Sequence, residues 1–462
     1  MKHTLFLLVL FTFGSCGKKA ERQAVEHWLT DPAANVLFQK QTDTEESNDS
    51  ELIVTVDAQT SFQSIDGFGF TLSQGSAKHL SEMSAPARTT LLQELFGKRE
   101  NDIRISYLRL AVAASDLNEF PFSYNDLVDS LATDTALENF SLSHDTVDVI
   151  PILKQIMKVN PNTKLMASPW SPPKWMKDNK DTRGGSLLEE FEGIYACYLV
   201  NYIKAMNEQG FEIDALTIQN EPLHPGNNPS LLMLPEQQAR FIGVHLGPAF
   251  QENEIKTKIL IYDHNADRPD YPITVLSDSL ANPFIDGSAF HLYGGEISAL
   301  TEVHQAFPDK NIYFTEQWIG APGNLAGDMP WHIKNLIIGA TRNWAKTVLE
   351  WNLTSNPELT PFTDRGGCDR CLGAVTLAGD SVTRNPAYYV IAHASKFVDP
   401  GSVRIDSNLF EGLHNVAFLR PDGKKVLIAL NDAKGPISFQ IKDKEKILFA
   451  ELNPGATGTW IW

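Results

Sequence analysis

Leu216–Pro222 reads LTIQNEP, and Asn311–Trp318 reads NIYFTEQW. Each opens as an apolar or β-branched run, the pattern of a buried strand, and each ends on a glutamate beside an amide or an aromatic ring. A buried strand that stops at a carboxylate delivers that charge to wherever the strand end meets solvent or a ligand. Two such endings in one chain raise the question of what else ends in the same way.

Working outward, strand-like runs recur at Gly67–Thr71, Ile105–Leu110, Lys164–Ser168, Ala215–Gln219, Lys258–Tyr262, Gly287–His291, Asn311–Thr315 and Thr347–Trp351. Helical stretches such as APARTTLLQELFG, TVDVIPILKQIMKV, GSLLEEFEGIYACYLVNYIKAMNEQG and LPEQQARFIGVHLGPAFQEN separate them. Eight strands alternating with helices predict an α/β fold, a (β/α)8 barrel spanning 65–390, with an open doubly wound sheet as the alternative. Residues 391–462 differ: short β-rich runs are broken by the turn signals PDGKK, NDAKG and NPGATG. They predict a β-sandwich, and the strand-like residues 51–64 are expected to join it, because an exposed apolar strand needs partners.

The chain has 462 residues, enough for a large core, and 57 Asp and Glu against 39 Lys and Arg give a net charge of −18. That balance, with no basic cluster interleaved with aromatics, speaks against nucleic acid as a partner. No protein partner is indicated. At the N-terminus, Lys2 precedes the apolar run Leu5–Phe13, too short to span a bilayer but laid out like an export signal. Gly14 and Ser15 lead into Cys16, the arrangement of a bacterial lipoprotein signal. The expectation is a signal peptide over 1–15, a lipid anchor through Cys16 and a tether with an N-terminal segment over 16–50, with ordinary secretion as the alternative. Cys368 and Cys371, in CDRC, have the spacing of a redox or metal pair. With no second CxxC in the chain, a local loop disulfide is the favoured reading. Cys197, in GIYACYLV, reads as a buried thiol on a helix.

In a (β/α)8 barrel the strand C-termini share one rim. Glu221 follows the fourth strand and Glu316 the seventh, so both carboxylates belong to that rim. Two facing carboxyls are what glycosidic cleavage needs: one protonated for the leaving oxygen, one ionised for the anomeric carbon. Retaining chemistry would place them roughly 5 Å apart. Asn220, Arg109, Asp116, Trp170, Trp175, His291, Tyr293, Trp318 and Trp351 fall at neighbouring strand ends, where amides meet sugar hydroxyls and aromatic rings stack on sugar faces. For each alone, core packing or a structural ion pair is a competing reading. Asp263, His264 and Asn265, with His291, could suggest a hydrolytic metal site, but HExxH and its equivalents are missing and no cofactor is called for. A non-catalytic carbohydrate-binding lipoprotein would explain the aromatics but not the two glutamates.

Taken together, SIDGFGFTLSQGSA, YLRLAVAASDL, SPWSPPKWMK, TIQNEP, FHLY, YFTEQW, EWNLTSNPE and RNPAYYVIAHASKFVDPGSVRI resemble glycoside hydrolase family 30, the family of glucosylceramidases and microbial β-1,6-glucanases. The resemblance runs from about residue 60 to the C-terminus and suggests a bacterial exported member. It implies a (β/α)8 barrel with a β-sandwich built from both ends of the chain. It also implies Glu221 as acid/base beside Asn220, Glu316 as nucleophile, and Arg109, Asp116, Trp170, Tyr293 and Trp351 as pocket residues. Where human-type glucosylceramidases carry a tryptophan after the strand-six histidine this chain has Leu292, and their aspartate before the last tryptophan is Glu350. Both departures point from glucosylceramide toward a β-1,6-linked glucan, with glucosylceramide itself, simple β-glucosides and xylan-type substrates as the alternatives.

Overall fold

The computed structural model describes residues 25–42, 50–129 and 132–462. The signal peptide and Cys16 lie outside them. Eight parallel strands close a barrel in chain order: Gly67–Leu72, Tyr107–Val112, Lys164–Pro169, Ala215–Thr217, Lys258–Ala266, Ile285–Gly295, Asn311–Glu316 and Ala345–Asn352. They are numbered one to eight below, and strand eight pairs with strand one. The closed barrel is the expected fold, and the open sheet is excluded.

Closure demands a small residue on strand one. A Cβ at Gly69 would stand 1.8 Å from the Tyr107 carbonyl oxygen, so only glycine lets strands one and two come together there. The lower barrel interior is filled by Tyr107, Met166, Ala215, Leu260, Ala289, Tyr313 and Leu349, one from each of strands two to eight. Strand four is shorter than its apolar run suggests: it ends at Thr217, and residues 218–221 leave the ladder.

Nine strands form the accessory β structure. Ile53–Ser64 is its hinge, pairing antiparallel with Val403–Ser407 along most of its length and parallel with Ile437–Asp443 through residues 53–55. It thereby belongs to two layers, which enclose Val54, Val56, Leu427, Ala429, Phe439, Ile441 and Trp460. The opposite face of the larger layer is buried too: Val416, Phe418, Val426, Ile428 and Leu430 join the main core with helix Pro386–Ser395. Burial on both faces is why NVAFL and VLIAL are nearly continuous apolar runs.

The N-terminal segment within 16–50 adds two strands of its own: Glu26–Asp31 and Val36–Gln41 form a hairpin that pairs with Thr457–Ile461. Its turn is organised by Asp31, whose Oδ1 accepts from the Ala33 and Ala34 N–H groups. Cys197 corrects the expectation of a buried thiol: helix Glu192–Glu208 buries Tyr195, Ala196, Tyr198, Leu199 and Tyr202, so position 197 faces out. Trp175 fills the core, in line with the core-packing reading, with Nε1–H donating to Asn125. Cys368 and Cys371 do form a disulfide. Among the described residues, no helix is long and apolar enough to cross a membrane.

Candidate active site

Above the apolar layer, the same strands turn polar. Arg109 on strand two is fully buried, and its guanidinium spreads over four partners: Glu316 at 2.5 Å, Asn220 at 2.7 Å, Asp263 at 2.8 Å and Ser168 at 3.1 Å. A planar, permanently charged fork suits that convergence. Asp263 is the hub of the layer, accepting also from the hydroxyls of Ser168, Thr217 and Thr315 and facing His291 Nε2 at 3.1 Å. Burial alone would raise its carboxyl. Arg109, His291 and Thr315 outweigh burial and hold it far below the ordinary aspartate range.

Local irregularities aim these side chains. Between strands six and seven, Phe314 pairs with Phe290 and Glu316 with the very next residue, His291, so Thr315 is extra. A second irregularity on strand five, between Tyr262 and His264, inserts Asp263. Tyr262, Asp263 and Glu221 all adopt positive φ, at 71°, 63° and 46°. Such bulges and left-handed residues gather where a side chain must be re-aimed, and they cost conformational energy that the surrounding bonds sustain. Glu221 is fixed by its own N–H, which donates to the Asp263 carbonyl, and Asn220 by its N–H to Pro169.

Glu221, His291 and Glu316 converge, each offering an atom within 4.8 Å of the others. Retaining glycosidases hold their two carboxyl groups about 5–5.5 Å apart, and inverting ones about 6.5–9.5 Å. Glu316 accepts from Arg109 on one oxygen and from the Tyr293 hydroxyl, at 2.9 Å, on the other. Glu221 faces His291 Nδ1 at 3.1 Å and Asn227 Nδ2 at 3.4 Å. The same three groups are close enough to ligate a metal. However, the Arg109 cation already meets Glu316, and His291 is itself held positive. Burial opposes that charge, but Glu316, Asp263 and Glu221 raise its imidazole to about 9. Burial likewise works against the Glu221 carboxylate, and the hydrogen bond from His291 overcomes it, so Glu221 lies lower than an ordinary glutamate. Glu316 lies higher, because its burial outweighs His291 and Arg109.

Asp116 is buried nearby with Oδ1 lacking a partner. Burial first, then the charges of Glu316 and Glu221, pushes its carboxyl up to about 8, so at neutral pH it is an acid ready to donate. Trp170 and Trp351 stand 5.4 Å apart and tilted, with the Arg109 guanidinium 4.8 Å from the Trp170 ring centre. Trp318 and the Cys368–Cys371 disulfide pack against the same group. His264, whose imidazole burial depresses to about 4, lies 6.4 Å from His291 ring to ring.

All the residues expected at the rim, Trp175 apart, are therefore brought together. The sequence offers Asp263 only as a metal ligand and carries no signal for Ser168, Thr217 or Thr315. Strand five also ends on a carboxylate, IYD, the same signal that exposes the two glutamates.

Known proteins repeat this architecture. The model of the glycosyl hydrolase family 30 TIM-barrel domain matches residues 65–398, and that of the family 30 beta sandwich domain residues 401–460. The chain is 31% identical over 395 residues to endo-1,6-beta-D-glucanase neg1 of Aspergillus fumigatus, covering 80% of this chain and 78% of that protein. It is 30% identical over 441 residues to lysosomal acid glucosylceramidase of Mus musculus, covering 89% and 83%. The solved structure of the endo-beta1,6-glucanase BT3312 superposes with a TM-score of 0.87 at 30% identity, covering 95% of this chain and 98% of that one. A barrel that brings two buried carboxyls together at its rim, matched along both domains, makes this chain a glycoside hydrolase, and it belongs to glycosyl hydrolase family 30.

Proposed function

We propose that the enzyme hydrolyses β-1,6-linked glucan from within the chain, by double displacement, with Glu316 as nucleophile and Glu221 as acid/base. The observation that carries the mechanism is the approach of Glu221, His291 and Glu316 to within 4.8 Å. A Glu316 oxygen attacks the anomeric carbon as the bond to the leaving sugar oxygen breaks, and that oxygen takes a proton from Glu221. Water then gives a proton back to Glu221 while its oxygen displaces Glu316, so the β-configuration is restored. His291, protonated in the free enzyme and 3.1 Å from Glu221, is the neighbour from which Glu221 would draw that proton. Arg109 and Tyr293 orient Glu316. Asp116, Asn220, Trp170, Trp318 and Trp351 would hold the sugar.

The substrate reading is supported by two fungal relatives and one solved structure that are named endo-1,6-glucanases, and by Leu292 at a position that differs from human-type glucosylceramidases. Glu350, bonded to His332 Nδ1 at 2.6 Å, faces away from the sugar site and does not bear on the substrate. A product profile tests it: pustulan beside glucosylceramide, laminarin, glucuronoxylan and an aryl β-glucoside. Rapid release of gentio-oligosaccharides from pustulan is expected. Efficient ceramide release with pustulan untouched would defeat the substrate assignment and leave the mechanism standing.

We also place the enzyme outside the cytoplasm, in the periplasm or outer membrane, anchored through Cys16. The leader sequence and the Cys368–Cys371 disulfide support this. Cys16→Ala should move the protein from the membrane to the soluble fraction.

A further inference from the structure

A second concavity opens on the catalytic face, behind the wall that holds Asp116. It has a volume of about 210 Å³ and lies between the N-terminal ends of helices Gln74–Glu82 and Val149–Val159 and the loop after strand two. Leu117 forms the shared wall: its side chain packs with Trp170 and Trp351, and its carbonyl accepts from Gly75, which lines the concavity. Asn118 lines it as well, two residues from Asp116, so their Cα atoms are at most about 7.6 Å apart.

Three features of this concavity suit a sugar. Phe120 is 51% exposed, more than Tyr293, Trp331, Phe362 or Phe449, each at about 40% or less. It is propped by Phe122 at 6.1 Å and His144 at 5.9 Å between ring centres, and His144 sits 4.2 Å from Phe122. A supported aromatic platform of this kind presents a flat apolar face, which the axial C–H groups of a pyranose match. Second, Gln74 donates through Nε2 to Asp145 while its buried Oε1 has no partner. Rotation of the Gln74 amide toward the concavity would let a ligand hydroxyl satisfy that oxygen, and an unmet buried acceptor is otherwise costly. Third, Asn118 spends its Oδ1 on Ser115, so it offers the concavity N–H, a donor complementary to the acceptor on Gln74.

We propose that this concavity is a distal sugar-binding subsite, in which Phe120 stacks on a glucosyl residue of the same chain that is cleaved between Glu221 and Glu316, while Gln74 Oε1 and the Asn118 amide meet its hydroxyls. The inference rests on the polysaccharide reading of the active site. A neutral sugar is the class that fits: Lys78 beside the concavity is already paired with Glu119, leaving no free cation there for an anionic ligand.

The test is length dependence. In a Glu316→Gln background, calorimetry with β-1,6-gluco-oligosaccharides of two to six units should give affinity that keeps rising beyond the disaccharide. Phe120→Ala should weaken the longer ligands roughly 3- to 10-fold, the worth of an aromatic contact, and leave the disaccharide unaffected. Phe120→Tyr should restore them. In the active enzyme, kcat/KM on polymer should fall with Phe120→Ala while aryl β-glucoside turnover stays level. Equal loss at every length, no loss at any length, or affinity that stops rising at the disaccharide each overturns the proposal. Failure of the wild type to cut β-1,6-glucan defeats only the linkage, and the same series on oligosaccharides of the β-glucan it does cut then decides the subsite.

Discussion

Two layers of one barrel interior, a single step apart along the same strands, behave as different materials. The lower, with Met166, Leu260, Tyr313 and Leu349 among its members, is apolar and closed. The upper holds Arg109, Asp263, His291, Glu221 and Glu316, all buried, and nearly every charge in it faces an opposite one. The lower layer gains stability from area removed from water. The upper layer is expensive to bury, because desolvated charges must be matched by geometry. One layer holds the strands together, and the other is held in place by them.

Substitutions should separate the two. The largest effects on activity come from the upper layer: Glu316→Gln should abolish turnover, and Glu221→Ala should slow it about 10²- to 10⁴-fold. Azide should rescue Glu221→Ala to a β-glycosyl azide and Glu316→Ala to the α-product; exchanged products would reverse the two roles. Asp263→Asn leaves Arg109 and His291 facing each other without their shared anion. It should cost about 3–5 kcal/mol in denaturant unfolding as well as activity, the usual penalty for breaking a buried ion pair. Leu349→Ala should cost a comparable or smaller amount, about 2–5 kcal/mol of stability, yet leave KM of the folded fraction near its original value.

The pH responses sharpen the contrast further. In the upper layer, His291 at about 9 and Asp116 at about 8 keep their protons until alkaline pH. The alkaline limb of kcat/KM should therefore fall across about pH 8 to 9, and His291→Asn should displace it. The junction with the accessory domain responds to acid instead. His393 is buried between Thr30 and Thr459 and depressed to about 3, by burial first and then by His27. An unfolded histidine titrates near 6.5, so between pH 6.5 and 3 the unfolded chain binds the extra proton and stability falls as pH falls. Tm measured over that window should decline in the wild type and less steeply in His393→Gln. The smallest effect is expected of Cys197→Ser, within about 0.5 kcal/mol, since the thiol faces out.

The eight barrel strands were legible because each is an apolar run buried on both sides, and the glutamates because a charge ending such a run is conspicuous. Bulges are a different matter. Period-two alternation assigns Thr315 and Glu316 to opposite faces, whereas the irregular pairing brings both toward Asp263 and its neighbours. Asp263 was thus visible as a residue and misplaced as a chemical group. The hairpin over Glu26–Gln41 escaped because its apolar residues, Trp28, Leu29 and Val36–Phe38, sit in two adjacent clusters with no alternation, and its partner lies at the far end of the sequence. Its turn, DPAAN, was the one local clue.

That remote pairing has a consequence for synthesis. Asn453 donates to Asp31 across 422 residues, and among the described residues the hairpin's only strand neighbour outside itself is Thr457–Ile461. During vectorial translation the barrel sequence emerges complete while Glu26–Asp31 still presents an unpaired edge. Closure of that edge is a late, high-contact-order event, so a ribosome stalled in the last strand leaves a chain whose catalytic groups are all present and whose first hairpin has nothing to pair with.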